Sequence, residues 1–229
     1  MSIGLIVIAT GEKYVEYAHD LIASAATYFP EAYTVTFTDQ PRRLGALSKV
    51  YYTESLGYPD QTLYRYRTIL EKEHILEKFD HLFYVDADML FVDKVVVENI
   101  VSNGITATLH PGYVGTRGTP ETREESNAFS PRSTAYYCGG FQGGSSSAYL
   151  SAAKNMLEGI NGDAENGVTA IWHDESHWNR YLSEYPAAKV LGPSYCYPEN
   201  ASDYYQSKWK AAGLGEVKPI LIAREKGSR

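Results

Sequence analysis

The alternation of apolar stretches along the first 88 residues most constrains what this chain can fold into. Ile3 to Ala9 is a short run rich in Ile and Val that ends in Thr10-Gly11, the pattern of a buried strand feeding a turn. From Glu12 onward Val15, Ala18, Leu21, Ile22 and Ala25 recur at helical spacing. Ala32 to Thr38 reads as a strand that stops at Asp39-Gln40-Pro41, and Ser48 to Thr53 as a third. Gly57-Tyr58-Pro59-Asp60 predicts the start of one helix running to about Lys78, with Asp60 as its N-cap. His81 to Val85 is a fourth apolar strand, ending in Asp86-Ala87-Asp88. Strand, helix, strand, strand, helix, strand implies an α/β layer with a largely parallel sheet. Ligands of such sheets bind outside the carboxyl ends of the strands. Thr10-Gly11 and Asp86-Ala87-Asp88 both fall at such ends.

The second half is less regular. A Gly-, Ser- and charge-rich stretch runs from Gly112 to Ser133, long for a structureless loop and so expected to be functional or mobile. Tyr136-Tyr137-Cys138-Gly139-Gly140-Phe141-Gln142-Gly143-Gly144 follows, and then a predicted helix from about Ser145 to Gly159, capped by Ser145 or Ser146. The whole, 229 residues, suits one domain with ample core.

Net charge is −7 with the basic residues scattered, which argues against nucleic acid or an anionic membrane as a partner. Of the 20 tyrosines most read as strand and core residues, with carbohydrate-facing surfaces their second use. Cys138 and Cys196 have no metal-ligand spacing and read as reduced thiols of an intracellular protein. The apolar segment near Met1 is only seven residues, Ile3 to Ala9, against about twenty for a membrane span, and no basic leader precedes it. The expectation is a soluble, cytoplasmic chain without a membrane span.

Four groups of residues carry candidate chemistry. Asp86 and Asp88 sit where a strand turns, so both carboxylates can converge on one cation; hard oxygen ligands with open positions suit Mn²⁺ or Mg²⁺ on phosphate oxygens. A lone Asp-x-Asp is more often a solvated turn. Neither a GxGxxG fingerprint nor a P-loop is present. Gly139-Gly140 and Gly143-Gly144 permit close approach of backbone to a ligand, although spacing alone favours a bulge or hairpin turn. Trp172-His173-Asp174-Glu175-Ser176-His177 places two carboxylates, two imidazoles, a hydroxyl and an indole side by side. The two histidines lack the Glu directly after the first that a zinc helix needs. A helix start, with Asp174 and Glu175 at its positive end, fits as well. In a helix those two diverge by about 100° and would take different roles on one substrate. Arg65 and Arg67 read as solvated helix residues unless other contacts claim them.

Phe37-Thr38-Asp39-Gln40-Pro41, Val85-Asp86-Ala87-Asp88-Met89, Leu109-His110-Pro111-Gly112-Tyr113, Tyr136-Tyr137-x-Gly139-Gly140-x-x-Gly143-Gly144 and Trp172-His173-Asp174-Glu175-Ser176-His177-x-Asn179-x-Tyr181-Leu182 occur in one order. Together they resemble glycosyltransferase family 6, the family of the histo-blood-group A and B transferases and the α1,3-galactosyltransferase. The resemblance implies a single-domain α/β GT-A (Rossmann-like) fold with a mixed central sheet. Residues from about 1 to 90 would bind the nucleotide, and those from about 91 to 229 the acceptor, with the catalytic groups. It implies retaining transfer of α-GalNAc or α-Gal from the UDP-sugar to the 3-hydroxyl of a galactoside or fucosylated galactoside, with Mn²⁺ as cofactor and Mg²⁺ as a substitute. On that resemblance Ala9, Thr10 and Tyr14 hold uracil and ribose, and Arg65 lies near the donor sugar. Asp86 and Asp88 bind the metal, Gly139-Gly140 select the donor, and Asp174 holds donor-sugar hydroxyls. His110 and Trp172 touch the acceptor. Glu175 is the nucleophile or the stabiliser of an oxocarbenium-like transition state. Arg224 and Lys226 stand in for the basic tail that closes over the diphosphate. A glycine at position 140 leaves room for an N-acetyl group, which favours UDP-GalNAc over UDP-Gal.

Three departures accompany the resemblance. The chain is expected to lack the membrane anchor and stem of the animal enzymes, as soluble microbial members do; it has Asp-x-Asp where those commonly have Asn-x-Asn; and Glu121-Thr122-Arg123 replaces Glu-Arg-Arg. Two other readings use the same residues: a metal-dependent UDP-sugar hydrolase with water as acceptor, and a non-catalytic sugar-binding protein.

Overall fold

The computed structural model describes residues 1–225. Its frame begins with β1 (Ile3–Ala9), whose successive side chains leave on opposite faces. Leu5, Val7 and Ala9 enter one core, Ile6 and Ile8 the other. The helix α1 (Glu12–Tyr28) covers the first face with the Val15, Ala18, Leu21, Ile22 and Ala25 stripe that its spacing predicts. β2 (Ala32–Thr38), α2 (Pro41–Leu44) and β3 (Lys49–Tyr52) complete the first edge of the sheet.

The single helix expected from Asp60 to about Lys78 is instead three short ones, α3 (Asp60–Leu63), α4 (Arg65–Leu70) and α5 (Glu73–Leu76). Arg65, Tyr66, Thr68 and Ile69 are all buried, more than the one stripe a straight amphipathic helix can hide. The breaks at Tyr64 and Lys72 let each piece present its own side. Asp60 is not the N-cap either. Pro59 takes that position without a side-chain cap, and Asp60 sits inside the first turn, where its charge still favours the helix dipole.

β4 (His81–Asp86), β5 (Met89–Phe91), α6 (Val97–Ile100), β6 (Ile105–Leu109) and β7 (Tyr137–Ser145) follow. β7 answers the question left by the paired glycines: it is one strand through Gly143-Gly144, with no hairpin. Its register with β4 is regular, but against β6 it jumps, from Ala107 opposite Gln142 to Leu109 opposite Tyr137. The extra residues of that bulge include Gly139 and Gly140.

The helix α7 (Ser146–Glu165) runs past Gly159, where the sequence suggested an end. Glycines at 159 and 162 serve close approach there. An added Cβ would stand 3.1 Å from His177 Nδ1 at the first and 3.0 Å from Asn127 Nδ2 at the second. Ser145 holds the N-cap position, but its hydroxyl donates to Asn103 O instead of capping. The chain closes with α8 (His173–Glu184), β8 (Lys189–Leu191), β9 (Tyr197–Pro198), α9 (Asp203–Ala211) and β10 (Leu221–Ala223).

The central sheet has the order β3-β2-β1-β4-β7-β6-β8, and β5-β10-β9 form a small second sheet. β1 to β4 are parallel, as expected from the first 88 residues, whereas β7 runs antiparallel to both β4 and β6. The mixed sheet draws strands from both halves of the chain. Helices α4, α7 and α8 cover the face opposite α1 through Tyr66, Ile69, Tyr149, Met156, Trp178 and Leu182.

From β1 the chain winds outward to β2 and β3, then returns to place β4 on the other side of β1. The carboxyl ends of β1 and β4 are therefore a topological switch point. Ile8 pairs with Asp86, so Thr10 and Asp88 overhang the sheet together. Among the described residues no helix is long and apolar enough to cross a membrane. Cys138 and Cys196 are both free and buried.

Candidate active site

A cleft opens at the switch point, lined by Thr10, Tyr14, Gln61, Arg65, Asp86 and Asp88 among others. Ala9 differs from its neighbours: its methyl is buried in the core, so it offers a ligand backbone only. Asp86 and Asp88 both face this cleft although they are two apart, because β4 ends between them. Tyr84 donates its hydroxyl to Asp86 Oδ1 at 2.8 Å and fixes that carboxylate.

Arg65 ties the cleft to the second half of the chain. Its Nε lies 2.9 Å from Asp174 Oδ2, and its Nη1 is 3.2 Å from Asp86 Oδ1 and 3.0 Å from the Gly139 carbonyl. The guanidinium also stacks over the Tyr84 ring at 4.5 Å. Burial works against this cation, but Asp174, Tyr84 and Asp86 outweigh it and hold its pKa well above the ordinary value. The solvated-residue reading therefore fails for Arg65 and holds for Arg67, which is exposed. The bulge explains the third contact: Gly139 O takes Arg65 and also the Gln142 amide at 3.0 Å.

The run from Trp172 to His177 is the start of α8, as the dipole argument suggested, with Asp174 and Glu175 in its first turn. His173 enters it at φ 51°, a left-handed conformation costing on the order of 1–3 kcal/mol outside glycine. That strain sits between the Trp172 and Asp174 positions and turns the chain sharply into the helix. Glu175 Oε2 accepts the Gly139 N–H at 2.8 Å. Asn179, one turn further on, grips Tyr137 at both N and O (2.8 Å each), clamping α8 to β7. The two carboxylates thus flank Gly139, and a Cβ there would lie 3.5 Å from Asp174 Oδ2 and 3.6 Å from Glu175 Oε2.

Asp86, Asp174 and Glu175 gather around Arg65, three carboxyls to one guanidinium. Burial raises the Asp174 carboxyl to about 7, with Arg65 opposing the rise. Burial also raises Glu175, against the Gly139 N–H. Such a pocket favours whatever positive charge enters it or develops in it.

The family model for Glycosyltransferase family 6 matches residues 1–211. The chain belongs to glycosyltransferase family 6. It is 33% identical over 219 residues to Histo-blood group ABO system transferase 1 of Rattus norvegicus, covering 86% of this chain and 61% of that protein. It is 29% identical to Globoside alpha-1,3-N-acetylgalactosaminyltransferase 1 of Homo sapiens, covering 87% and 62%. The chain thus spans about three-fifths of the length of these curated relatives. The α/β architecture with its mixed seven-stranded sheet is the GT-A, Rossmann-like fold expected of the family.

Elsewhere in this family 6 chain, His110 caps a short 3-10 turn and accepts the Gly112 N–H on Nδ1 at 3.1 Å. Its ring packs against Tyr113 and Tyr136, 4.8 and 5.7 Å between centroids. Burial lowers its pKa to about 4, helped by Lys208, so it is neutral at physiological pH. Lys208 and Trp209 of α9 hold this turn by donating to the carbonyls of Gly112 and Pro111. Tyr136 is buried beside Glu175, which adds to the rise that burial gives its hydroxyl pKa. Trp172 is 45% exposed, a free aromatic face at the mouth of α8.

The Arg224 guanidinium is engaged within the chain. It donates to Asp20 Oδ2 at 2.9 Å and Tyr17 O at 3.0 Å, and its Nε to Asp88 O at 3.3 Å. These bonds make it a clasp beneath the Asp86–Asp88 turn, tying it to α1. Lys226 lies outside the described residues.

The long stretch from Gly112 to Ser133 is anchored. Ser126 and Asn127 donate to Asp163 of α7, and Glu121 accepts from the backbone of Arg123 and Ile171 and from the Arg123 guanidinium. Through Ile171, Glu121 positions the approach to Trp172. The Arg123 hydrogen bonds, aided by those backbone donors, lower the Glu121 carboxyl to about 2. A depressed carboxylate contributes stability that is complete above its unfolded pKa of ~4.3 and lost as pH falls through its folded value. Glu121→Gln is accordingly expected to melt well below wild type at pH 7, with the gap narrowing from pH 4 toward 2.5. Thermal unfolding across that range checks this.

Gln61 and Tyr84 are not singled out by the sequence, and Tyr136 and Gln142 appear there only within the Tyr136–Gly144 run. Each is a lone polar or aromatic residue inside an apolar pattern, which carries no periodic signal. Asn179 was visible only as part of the α8 motif.

Proposed function

We propose that this chain is a retaining glycosyltransferase that moves α-GalNAc, or α-Gal, from its UDP donor to the 3-hydroxyl of a galactose-containing acceptor, with Mn²⁺. The observation that carries the reading is Arg65. One buried cation joins a nucleotide-type cleft at the β1–β4 switch point to a carboxylate pair on α8, across 109 residues of sequence. The cleft and the carboxylate pair are therefore tied to one guanidinium. The family relatives named above as transferases support the chemistry.

The division of labour follows from the contacts. Asp174, locked by Arg65, is rigid enough to orient donor-sugar hydroxyls. Glu175, held by the Gly139 N–H, presents a carboxylate to positive charge at the anomeric carbon as the bond to the diphosphate breaks. An added methyl at Gly140 would meet Asp86 Oδ2 and Met89 Sδ at 3.2 Å. The glycine keeps that side of the pocket open, in line with UDP-GalNAc as the preferred donor; one methyl is worth ~1–3 kcal/mol of selectivity. On the acceptor side, the exposed face of Trp172 and the neutral His110 offer stacking and hydrogen bonding to a galactoside.

Asp86 and Asp88 supply oxygen ligands only, and among the described residues no third His, Cys, Asp or Glu completes a metal-binding group. An incomplete oxygen set of this kind fits Mn²⁺ or Mg²⁺, which take the rest of their coordination from water and phosphate. Bound there, the cation would neutralise charge on the leaving diphosphate. EDTA is expected to reduce transfer to background, with recovery on adding Mn²⁺ and weaker recovery with Mg²⁺. Asp88→Asn should lose at least about 100-fold in Mn²⁺-supported turnover. Full activity in EDTA would remove the metal from the proposal.

A further inference from the structure

The cleft holds a polar pair that the mechanism above leaves unused. Thr10 Oγ1 lies 2.8 Å from Gln61 Oε1, and the Leu56 backbone N–H donates to that same oxygen at 3.1 Å. A backbone N–H can only donate, so the Gln61 amide is oriented with its oxygen toward Leu56 and Thr10. The Thr10 hydroxyl must then be the donor in its bond to Gln61, because an amide oxygen only accepts. A hydroxyl has one proton. With it committed, Thr10 can offer a ligand nothing but lone pairs.

The other end of the amide is the complement. Gln61 Nε2 is shut off from water and meets no hydrogen-bond partner among the described residues. An unmade buried donor costs on the order of 1–3 kcal/mol, a cost that a ligand oxygen would remove. Both residues line the cleft, and so does the partly exposed ring of Tyr14. One end of the cleft therefore combines an aromatic face, an acceptor and a donor.

We infer that Gln61 is a specificity-determining residue that makes this cleft read an imide edge, a ring N–H beside a carbonyl, as in uracil. The inference rests on the proposed nucleoside diphosphate donor and names what selects its base. Uracil N3–H donates to Thr10 Oγ1, and the uracil O4 carbonyl accepts from Gln61 Nε2. Cytosine reverses both contacts: its unprotonated N3 faces the Thr10 lone pairs, and its amino N–H faces the amide N–H. A site whose buried polar groups are left unpaired rejects the mismatched ligand strongly.

The test is calorimetric binding of UDP and CDP, in the presence of Mn²⁺, to wild type, Gln61→Glu and Thr10→Val, with thermal unfolding of each. Wild type should bind UDP on the order of 100-fold more tightly than CDP. Gln61→Glu keeps the oxygen that Leu56 and Thr10 use but replaces the free N–H by an acceptor. It should lose roughly 10-fold or more in UDP affinity and most of the UDP/CDP ratio. Thr10→Val should lose the ratio through the other contact. A wild-type UDP/CDP ratio near one, or a folded Gln61→Glu that keeps the wild-type ratio, overturns the inference while leaving the UDP-donor reading standing. Wild-type protein that binds neither nucleotide overturns both.

Discussion

Glu175→Gln is expected to leave a folded protein that binds UDP as wild type does and turns over at least about 10³-fold more slowly. The substitution keeps shape and an oxygen to accept the Gly139 N–H, which Glu175 Oε2 meets at 2.8 Å. It removes only the charge. If the carboxylate stabilises positive charge at the anomeric carbon, kcat falls and nucleotide affinity does not. A loss confined to KM, or near-normal turnover, would take Glu175 out of the chemistry. Because burial raises its pKa, wild-type activity should also fall on the acid side at a higher pH than an exposed glutamate would allow.

Arg65→Met has the largest expected effect on both stability and activity. Methionine covers the apolar stem of the arginine but strands Asp174 and takes one partner from Asp86 and from the Gly139 carbonyl, which keep only Tyr84 and Gln142. Removing one partner of a buried ion pair costs about 3–5 kcal/mol. In a domain of this size that lowers the melting temperature by roughly 10 °C or more. Transfer should be undetectable, because the link that holds Asp174 against the donor cleft is gone. Arg65→Lys, a point charge without the planar fork, should fall between the two in melting temperature. A melting temperature for Arg65→Met equal to wild type would show that the network is not the buried cluster its geometry describes.

The parts of the fold legible in sequence are those whose burial follows one simple local pattern. β1 is a continuous apolar run buried on both faces and appears at its predicted limits, and α1 repeats apolar residues at three to four and begins at Glu12 as expected. The segment after Gly57 misleads because Arg65, Tyr66, Thr68 and Ile69 are buried together, and no local period encodes that. Gly159 misleads in the opposite direction. It looks like a helix stop, but the reason for a glycine is His177, which arrives from another helix.

The same limit governs the site. Asp86, Asp88, Asp174 and Glu175 were legible because strand ends and helix starts are places where charge has a use. What joins them was not, since Arg65 and Gly139 are 74 residues apart. Gln61 and Asn179 matter through the orientation of their amides, which only neighbouring backbone groups reveal. Arg224 shows the converse, a basic residue in a plausible position whose charge is engaged by Asp20.

The measurement that bears most directly on the account is the fate of the sugar from isotope-labelled UDP-GalNAc, incubated with Mn²⁺ and a panel of galactosides. The account predicts label in an α1,3-linked disaccharide unit, formed with retention at the anomeric carbon and dependent on the galactoside. Label that appears only as free GalNAc, whatever acceptor is present, would contradict it.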